Sequence, residues 1–173
     1  MEIHTHMGLR WKNVVRHFQN DSGQALVEFA LVLPILLLVL LGMLDFGKGM
    51  NYWIDETHLA NEGVRFAAVN RNPGAGTLQD YILSQADTNE LRSGGSSSLP
   101  SRAQVCISFP NGTTSVGDPV RVTMSADYHW MYFFSHVKYF GTPLANITTR
   151  TITGEATMRL EARPTNYSAG CTT

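Results

Sequence analysis

Charged side chains are scarce in this chain of 173 residues, at 16 %, where a typical soluble protein has about a quarter. The formal net charge is −1 and no cluster of Lys or Arg occurs, so the composition does not favour a nucleic-acid-binding protein. Two cysteines, Cys106 and Cys171, are too few for a disulfide-rich scaffold. They are enough for one bridge in an oxidising compartment.

Sequence motifs of catalysis and metal binding are also missing. The chain contains no H-E-x-x-H, no G-x-S-x-G and no phosphate-binding glycine loop. His129 and His136 flank an aromatic stretch at a spacing that matches no metal-binding pattern. We therefore expect neither an enzyme nor a cofactor or metal site.

What the chain does contain is one long apolar run. No charged side chain occurs from Phe29 to Leu44, and with residues 25–27 the run reaches about 20 residues, about 30 Å as a helix, which matches a bilayer core. A cleaved secretory signal has a shorter apolar core and a small-x-small cleavage site, which "GMLDFGKG" does not supply. We predict a retained transmembrane helix over residues 24–46, in which Pro34 is a tolerated kink.

The charges that flank this run predict its orientation. Arg10, Lys12 and Arg16 precede it, whereas Asp45 and a single Lys48 follow. The positive-inside bias places the N-terminus in the cytoplasm and the residues after the span outside the inner membrane. Both cysteines would then meet an oxidising compartment.

One carboxylate, Glu28, lies inside the edge of the apolar run. A charge in a membrane segment is costly and points to a functional role with a partner. The alternative is that Glu28 lies near enough to the cytoplasmic interface to reach the lipid headgroups. Gly23 stands five residues before it in "GQALVEFALVLP", and "ANEGVRFAA" follows at residues 60–68.

These stretches, within residues 21–70, resemble the N-terminal region of TadE-like proteins, which are pilin-like minor components of the tight-adherence (Flp-type) pilus system. The resemblance implies that a prepilin peptidase cuts directly after Gly23, so that residues 1–23 are a leader and Gln24 carries the new amino group. Glu28 would then pair with that amino group in its own chain or in a neighbouring subunit. The implied partners are other pilin-like subunits, the assembly platform and the peptidase. Beyond residue 70 we find no family motif.

The pattern of residues 47–70 predicts a helical stalk that continues the membrane helix. One face carries a narrow stripe, and the opposite side carries Asp55 and Glu62. The stalk would pack under its own head or form a bundle with other subunits. The stripe consists of Trp53, Thr57, Ala60, Val64 and Ala67.

Residues 71–173 predict an exported α+β head. Thr77 is a helix N-cap, and one short helix runs to about Leu91. Three alternating segments beyond it predict an antiparallel sheet with one solvated face. The predicted fold is thus α+β: a long N-terminal transmembrane helix continues into a stalk and packs on a small antiparallel sheet with one short extra helix. The inward-facing residues are Val105, Ile107, Phe109, Val120, Val122, Met124, Ala126, Tyr128, Ile152, Ala156, Met158 and Leu160.

Two features of the head leave alternatives open. The aromatic residues Trp130, Phe133, Phe134 and Tyr139 would cap the core or form an exposed patch for a partner or the membrane surface. The two cysteines would be bridged, which ties the C-terminal tail to the sheet, or remain as two free thiols.

Two functions follow from the sequence. The first is a pilin-like structural subunit, inserted in the inner membrane, cut after Gly23 and assembled into a pilus or its base. The alternative is an uncut single-pass protein that displays an exported interaction domain for a secretion or envelope complex.

Overall fold

The computed structural model describes residues 21–130, 138–139, 142–143 and 149–172. They belong to two compact units, one ending at Leu41 and the other beginning at Gly42. Most of the predicted leader lies outside the described residues, as do Phe133, Phe134 and the side chain of Tyr139.

A single helix, α1, runs from Asp21 to Ala68, through Pro34. It is the one helix in the described part of the chain that is long and apolar enough to cross a membrane. The apolar side chains of its first half are exposed, from Leu26 to Leu41. A surface of this size is typical of a helix covered by lipid or by other helices. The prediction of a long N-terminal apolar helix is confirmed.

The head contains a four-stranded antiparallel sheet. Its strands are β1 (Gln104–Ser108), β2 (Pro119–His129), β5 (Thr149–Arg159) and β6 (Gly170–Cys171), in the order β5-β2-β1-β6. Two short strands, β3 (Lys138–Tyr139) and β4 (Thr142–Pro143), form a separate antiparallel pair. The α+β plan is therefore confirmed, and β6 is a strand that the sequence analysis did not predict.

Alternation along the strands places the core on one face of the sheet. Every predicted inward residue of β2 is buried, as are Val105 and Ile107 of β1. Strand β5 fits less well, because Met158, predicted to face the core, is 37 % exposed. It lies on an edge strand that, among the described residues, has a neighbouring strand on one side only.

Two short helices replace the single one that was predicted after Thr77. Helix α2 (Leu78–Ser84) begins at the predicted N-cap, where the Thr77 hydroxyl accepts a hydrogen bond from the Asp80 N–H. Helix α3 (Asn89–Ser93) has its own N-cap, Thr88, in an extended conformation. Just before it, the Asp87 N–H donates to the Asp55 carboxylate at 3.1 Å. This tertiary hydrogen bond and the second cap explain why the helix does not continue to residue 91.

Helix α1 lies directly on the sheet at Gly154 of β5. A Cβ at Gly154 would lie only 2.5–2.6 Å from the backbone of Glu56 and Thr57. Farther along α1, a Cβ at Gly63 would meet the Ile82 side chain of α2 at 2.6 Å. The second half of α1 therefore packs under its own head, which is the first of the two arrangements predicted for the stalk.

The buried face of α1 differs from the predicted stripe. Ala60, Val64 and Ala67 are buried as expected, but Trp53 is 47 % exposed and Asp55 is only 7 % exposed. The stripe that faces the sheet begins at Tyr52 and has helical spacing. It overlaps the predicted stripe only in part. Its members are Tyr52, Asp55, Glu56, Leu59, Ala60, Gly63, Val64, Ala67 and Ala68.

The C-terminal end of α1 is closed by the C-terminal segment of the chain. Asn70 adopts a positive φ of 49°, and its side-chain oxygen accepts hydrogen bonds from the N–H groups of Thr165 and Asn166. The Tyr167 hydroxyl donates to the Ala67 carbonyl at 2.8 Å. Two further N–H groups, of Glu161 and Ala162, donate to the Ala68 carbonyl. These bonds satisfy carbonyls that a helix end otherwise leaves without partners.

We predict that Gly154→Ala destabilises the head by about 1–3 kcal/mol or more, because the added methyl would push β5 away from the α1 backbone. Gly47→Ala is the matched control: it lies in α1, where an added Cβ meets no atom within 4 Å, and alanine favours helix over glycine by about 0.5–1 kcal/mol. Denaturant unfolding of the full chain in detergent, followed by near-ultraviolet circular dichroism, measures both. Equal stability of the two variants would contradict the close packing.

Candidate functional site

The residues predicted for processing and assembly lie together on the first turns of α1. Gly23, Gln24 and Glu28 are all exposed, and a Cβ at Gly23 would meet no atom within 4 Å. The Gln24 side-chain amide donates a hydrogen bond to Glu28 Oε1 at 3.1 Å. Residues four apart lie on one face of a helix, so the Glu28 carboxylate points toward Gln24.

A polar cluster fixes the part of α1 from Asp45 to Tyr52 to the head. The Tyr128 hydroxyl of β2 donates to Asp45 Oδ1 at 2.7 Å, and also contacts the Asp45 carbonyl at 3.1 Å. The Tyr52 hydroxyl donates to the Glu90 carboxylate of α3. Lys48 Nζ lies 3.1 Å from the other oxygen of Glu90. Asp45, Lys48 and Tyr52 are thereby joined to two different elements of the head.

Burial and hydrogen bonding set the protonation of this cluster. Burial, and then the hydrogen bond to Glu90, raise the pKa of Tyr52. Burial, and then the hydrogen bond to Asp45, raise the pKa of Tyr128. The Tyr52 hydroxyl, more than Lys48, lowers the pKa of Glu90. The tyrosines are therefore neutral donors and Glu90 an ionised acceptor at neutral pH.

Sequence analysis missed this polar cluster because its partners are far apart in the chain. Tyr52 and Glu90 are separated by 38 positions, and Asp45 and Tyr128 by 83. The available signal was the helical spacing of Asp45, Lys48 and Tyr52. Trp130 continues the cluster, since its ring packs edge-on against Tyr128 with centroids 4.8 Å apart.

Cys106 and Cys171, the predicted pair, lie opposite each other in β1 and β6. Their sulfur atoms are bonded, and their Cα atoms are 4.0 Å apart. The tail is held on both sides of this bridge: Gln79 of α2 donates to the carbonyls of Ser168 and Gly170, and the Thr172 hydroxyl accepts from the Val105 N–H. The C-terminal tail thus forms the strand β6.

Metal ligands are not grouped in the described ranges. No set of three or more His, Cys, Asp or Glu side chains within them is arranged to hold a metal ion. The polar groups that the structure brings together instead connect α1, the sheet and the tail.

The long apolar helix is a candidate single-pass membrane anchor, and together with the small α+β head it gives the chain a pilin-like plan. A family model described as TadE-like protein matches residues 23–65, about a quarter of the chain, from Gly23 almost to the end of α1. The resemblance that the sequence indicated is thereby confirmed, and this segment associates the chain with the tight-adherence pilus. Comparisons with curated proteins and with solved structures gave no match.

We predict that the purified chain shows no free thiol until it is reduced, and two afterwards. The Cys106→Ser, Cys171→Ser double variant should lose about 2–4 kcal/mol of unfolding free energy, because the bridge closes a long loop in the unfolded chain. Thiol counting under denaturing, non-reducing conditions tests the bridge, and denaturant unfolding tests its effect. Two reactive thiols in the unreduced chain would contradict it.

Proposed function

We propose that this protein is a pilin-like structural subunit of a Tad/Flp-type pilus or of its assembly apparatus, and that prepilin peptidase processes it after Gly23. The observation that carries the proposal is the TadE-like match, which begins at Gly23 on the apolar helix. Residues 1–23 would be the leader, 24–46 the transmembrane helix, 47–70 the stalk and 71–173 the exported head. The role is structural and not enzymatic.

Processing would create a partner for Glu28. Cutting after Gly23 leaves a new α-amino group on Gln24, whose side chain already reaches Glu28 at 3.1 Å. A charge pair at the membrane edge reduces the cost of placing either group there alone. Breaking such a pair leaves one uncompensated charge, so the pair also favours the correct register between neighbouring subunits.

The exported part of α1 offers a surface for other subunits. Several large apolar side chains beyond Asp45 are exposed on α1, and one of them, Phe46, stacks on Trp130 with ring centroids 6.0 Å apart. Contiguous exposed apolar surface is typical of a protein or membrane interaction site. The partners would be other pilin-like subunits and the assembly platform. These side chains are Phe46, Met50, Trp53 and Ile54.

The orientation follows from the charges around the span. The basic residues before it favour a cytoplasmic N-terminus and an exported head in the inner membrane. The disulfide between Cys106 and Cys171 supports this placement, because such bridges persist in oxidising compartments. The alternative function, an uncut single-pass protein displaying an interaction domain, shares this orientation and differs in its processing.

We predict that the chain from membranes of cells with active prepilin peptidase begins at Gln24, whereas Gly23→Val retains residues 1–23. A Cβ added at Gly23 meets no atom within 4 Å, so we expect the substitution to change the cut site without disturbing packing. Intact-mass measurement reads the result directly.

Gly42→Val is the matched control for this experiment. It introduces the same side chain into the same helix, again with no atom within 4 Å of the new Cβ, and should be processed like the wild type. A full-length wild-type chain in the presence of active peptidase would favour the uncut alternative.

We also predict that Glu28→Gln lowers co-purification with partner pilin-like subunits by about tenfold or more, which corresponds to about 1.4 kcal/mol. The amide keeps the shape of the side chain but loses the charge that would pair with the new amino terminus. Glu62→Gln, at an exposed position of α1, should leave co-purification unchanged. Undiminished assembly of processed Glu28→Gln would rule out the pairing role.

A further inference from the structure

Glu56 is a carboxyl group buried in the head without a polar partner. Its side chain is 0 % exposed, and neither carboxylate oxygen has a hydrogen-bond partner in the described part of the chain. An isolated ionised carboxylate in such a place is very unfavourable, so a buried acid of this kind takes up a proton instead. The family resemblance assigns this residue no role.

The backbone of Glu56 lies directly against strand β5 of the sheet. Its backbone carbonyl oxygen would lie 2.6 Å from a Cβ at Gly154 of β5, so this contact leaves no space for a side chain at position 154. One helical turn away, Tyr52 packs against Tyr128 of β2, with ring centroids 5.6 Å apart. The carboxyl is therefore enclosed in the layer between helix and sheet.

The charged groups on the surrounding elements do not compensate Glu56. On α1, His58 interacts electrostatically with Asp55, and Lys48 forms a salt bridge with Glu90 of α3. On β5, the exposed Glu155 lies 3.9 Å from Arg121 of β2. Burial, and then the negative charge of Asp55, raise the pKa of Glu56 to about 9.

We propose that Glu56 is a proton-dependent lock between α1 and the sheet: in its neutral form it lets α1 lie on β5, and its ionisation loosens α1 from the head. The lock consists of Glu56 together with the Gly154 contact. It is independent of processing at Gly23, because Glu56 and Gly154 both belong to the compact unit that begins at Gly42.

The direction of the pH dependence follows from linkage. The ordinary pKa of a glutamate is 4.5 and the folded-state pKa is about 9, so the folded head binds more protons between these values than the unfolded chain does. The Glu56 contribution to stability is fully present below the ordinary pKa of 4.5, and it is lost as the pH rises to the folded-state pKa of about 9. The unfolding equilibrium constant gains up to about tenfold per pH unit across this window.

Comparison of the wild type with Glu56→Gln isolates this contribution, since an amide has similar shape and does not titrate. Denaturant unfolding of the full chain in detergent, at several values from about pH 5 to about pH 9, gives both equilibrium constants. The ratio of the wild-type constant to the variant constant should rise by about tenfold per pH unit. Glu62→Gln, which removes an exposed carboxyl of α1, should show a ratio that is nearly constant with pH.

A ratio for Glu56→Gln that is constant with pH would overturn the proposal. If Glu56→Gln does not fold, hydrogen exchange of the wild type supplies the test. After correction for the intrinsic exchange rate, the amides of α1 around residue 56 should lose protection with rising pH more steeply than those of β1. Equal pH dependence in the two segments would also overturn the proposal.

Discussion

The approach of the α1 backbone to Gly154 determines how the head is built. A Cβ at this position would lie 2.5 Å from the Thr57 amide nitrogen, so only glycine lets helix and strand approach this closely. Once this contact is made, the helical repeat decides which residues turn inward: Tyr52, Glu56 and Leu59 reach the sheet, whereas Trp53 remains outside. The core of the head and its unpaired carboxyl thus follow from one contact between two backbones.

The rest of the head holds α1 in that position from both sides. Before the contact, the hydroxyls of Tyr52 and Tyr128 bind the carboxylates of Glu90 and Asp45. After it, Asn70 and the C-terminal segment satisfy the end of the helix. The tail can do this because β6 joins the sheet through the cysteine pair and the hydrogen bonds of Thr172. Neutral tyrosines are suited to the first role, because they bring donors to half-buried carboxylates without burying a second charge.

The sequence predicted what depends on local pattern. The apolar run, the cap at Thr77, the alternation along β2 and the TadE-like segment could all be identified from neighbouring residues, and each is found. The predictions that were wrong concern features that depend on contacts between residues far apart in the chain. The Asp87 amide turns to Asp55 and interrupts a predicted helix, and Gly154 selects between two overlapping stripes on α1. Of the candidate site, the positions of Gln24 and Glu28 could be predicted because they are one turn apart. The partners of Tyr52 could not.

Helix α1 carries two acidic residues that solve the same electrostatic problem in different ways. Glu28 lies on an exposed turn with a hydrogen-bond donor four residues earlier, so its carboxylate is accessible to a partner from outside the chain. Glu56 has no such access, and burial makes the neutral form the stable one. An accessible carboxylate favours a neighbour that supplies a cation, whereas a proton retained in the core favours one packing of the head.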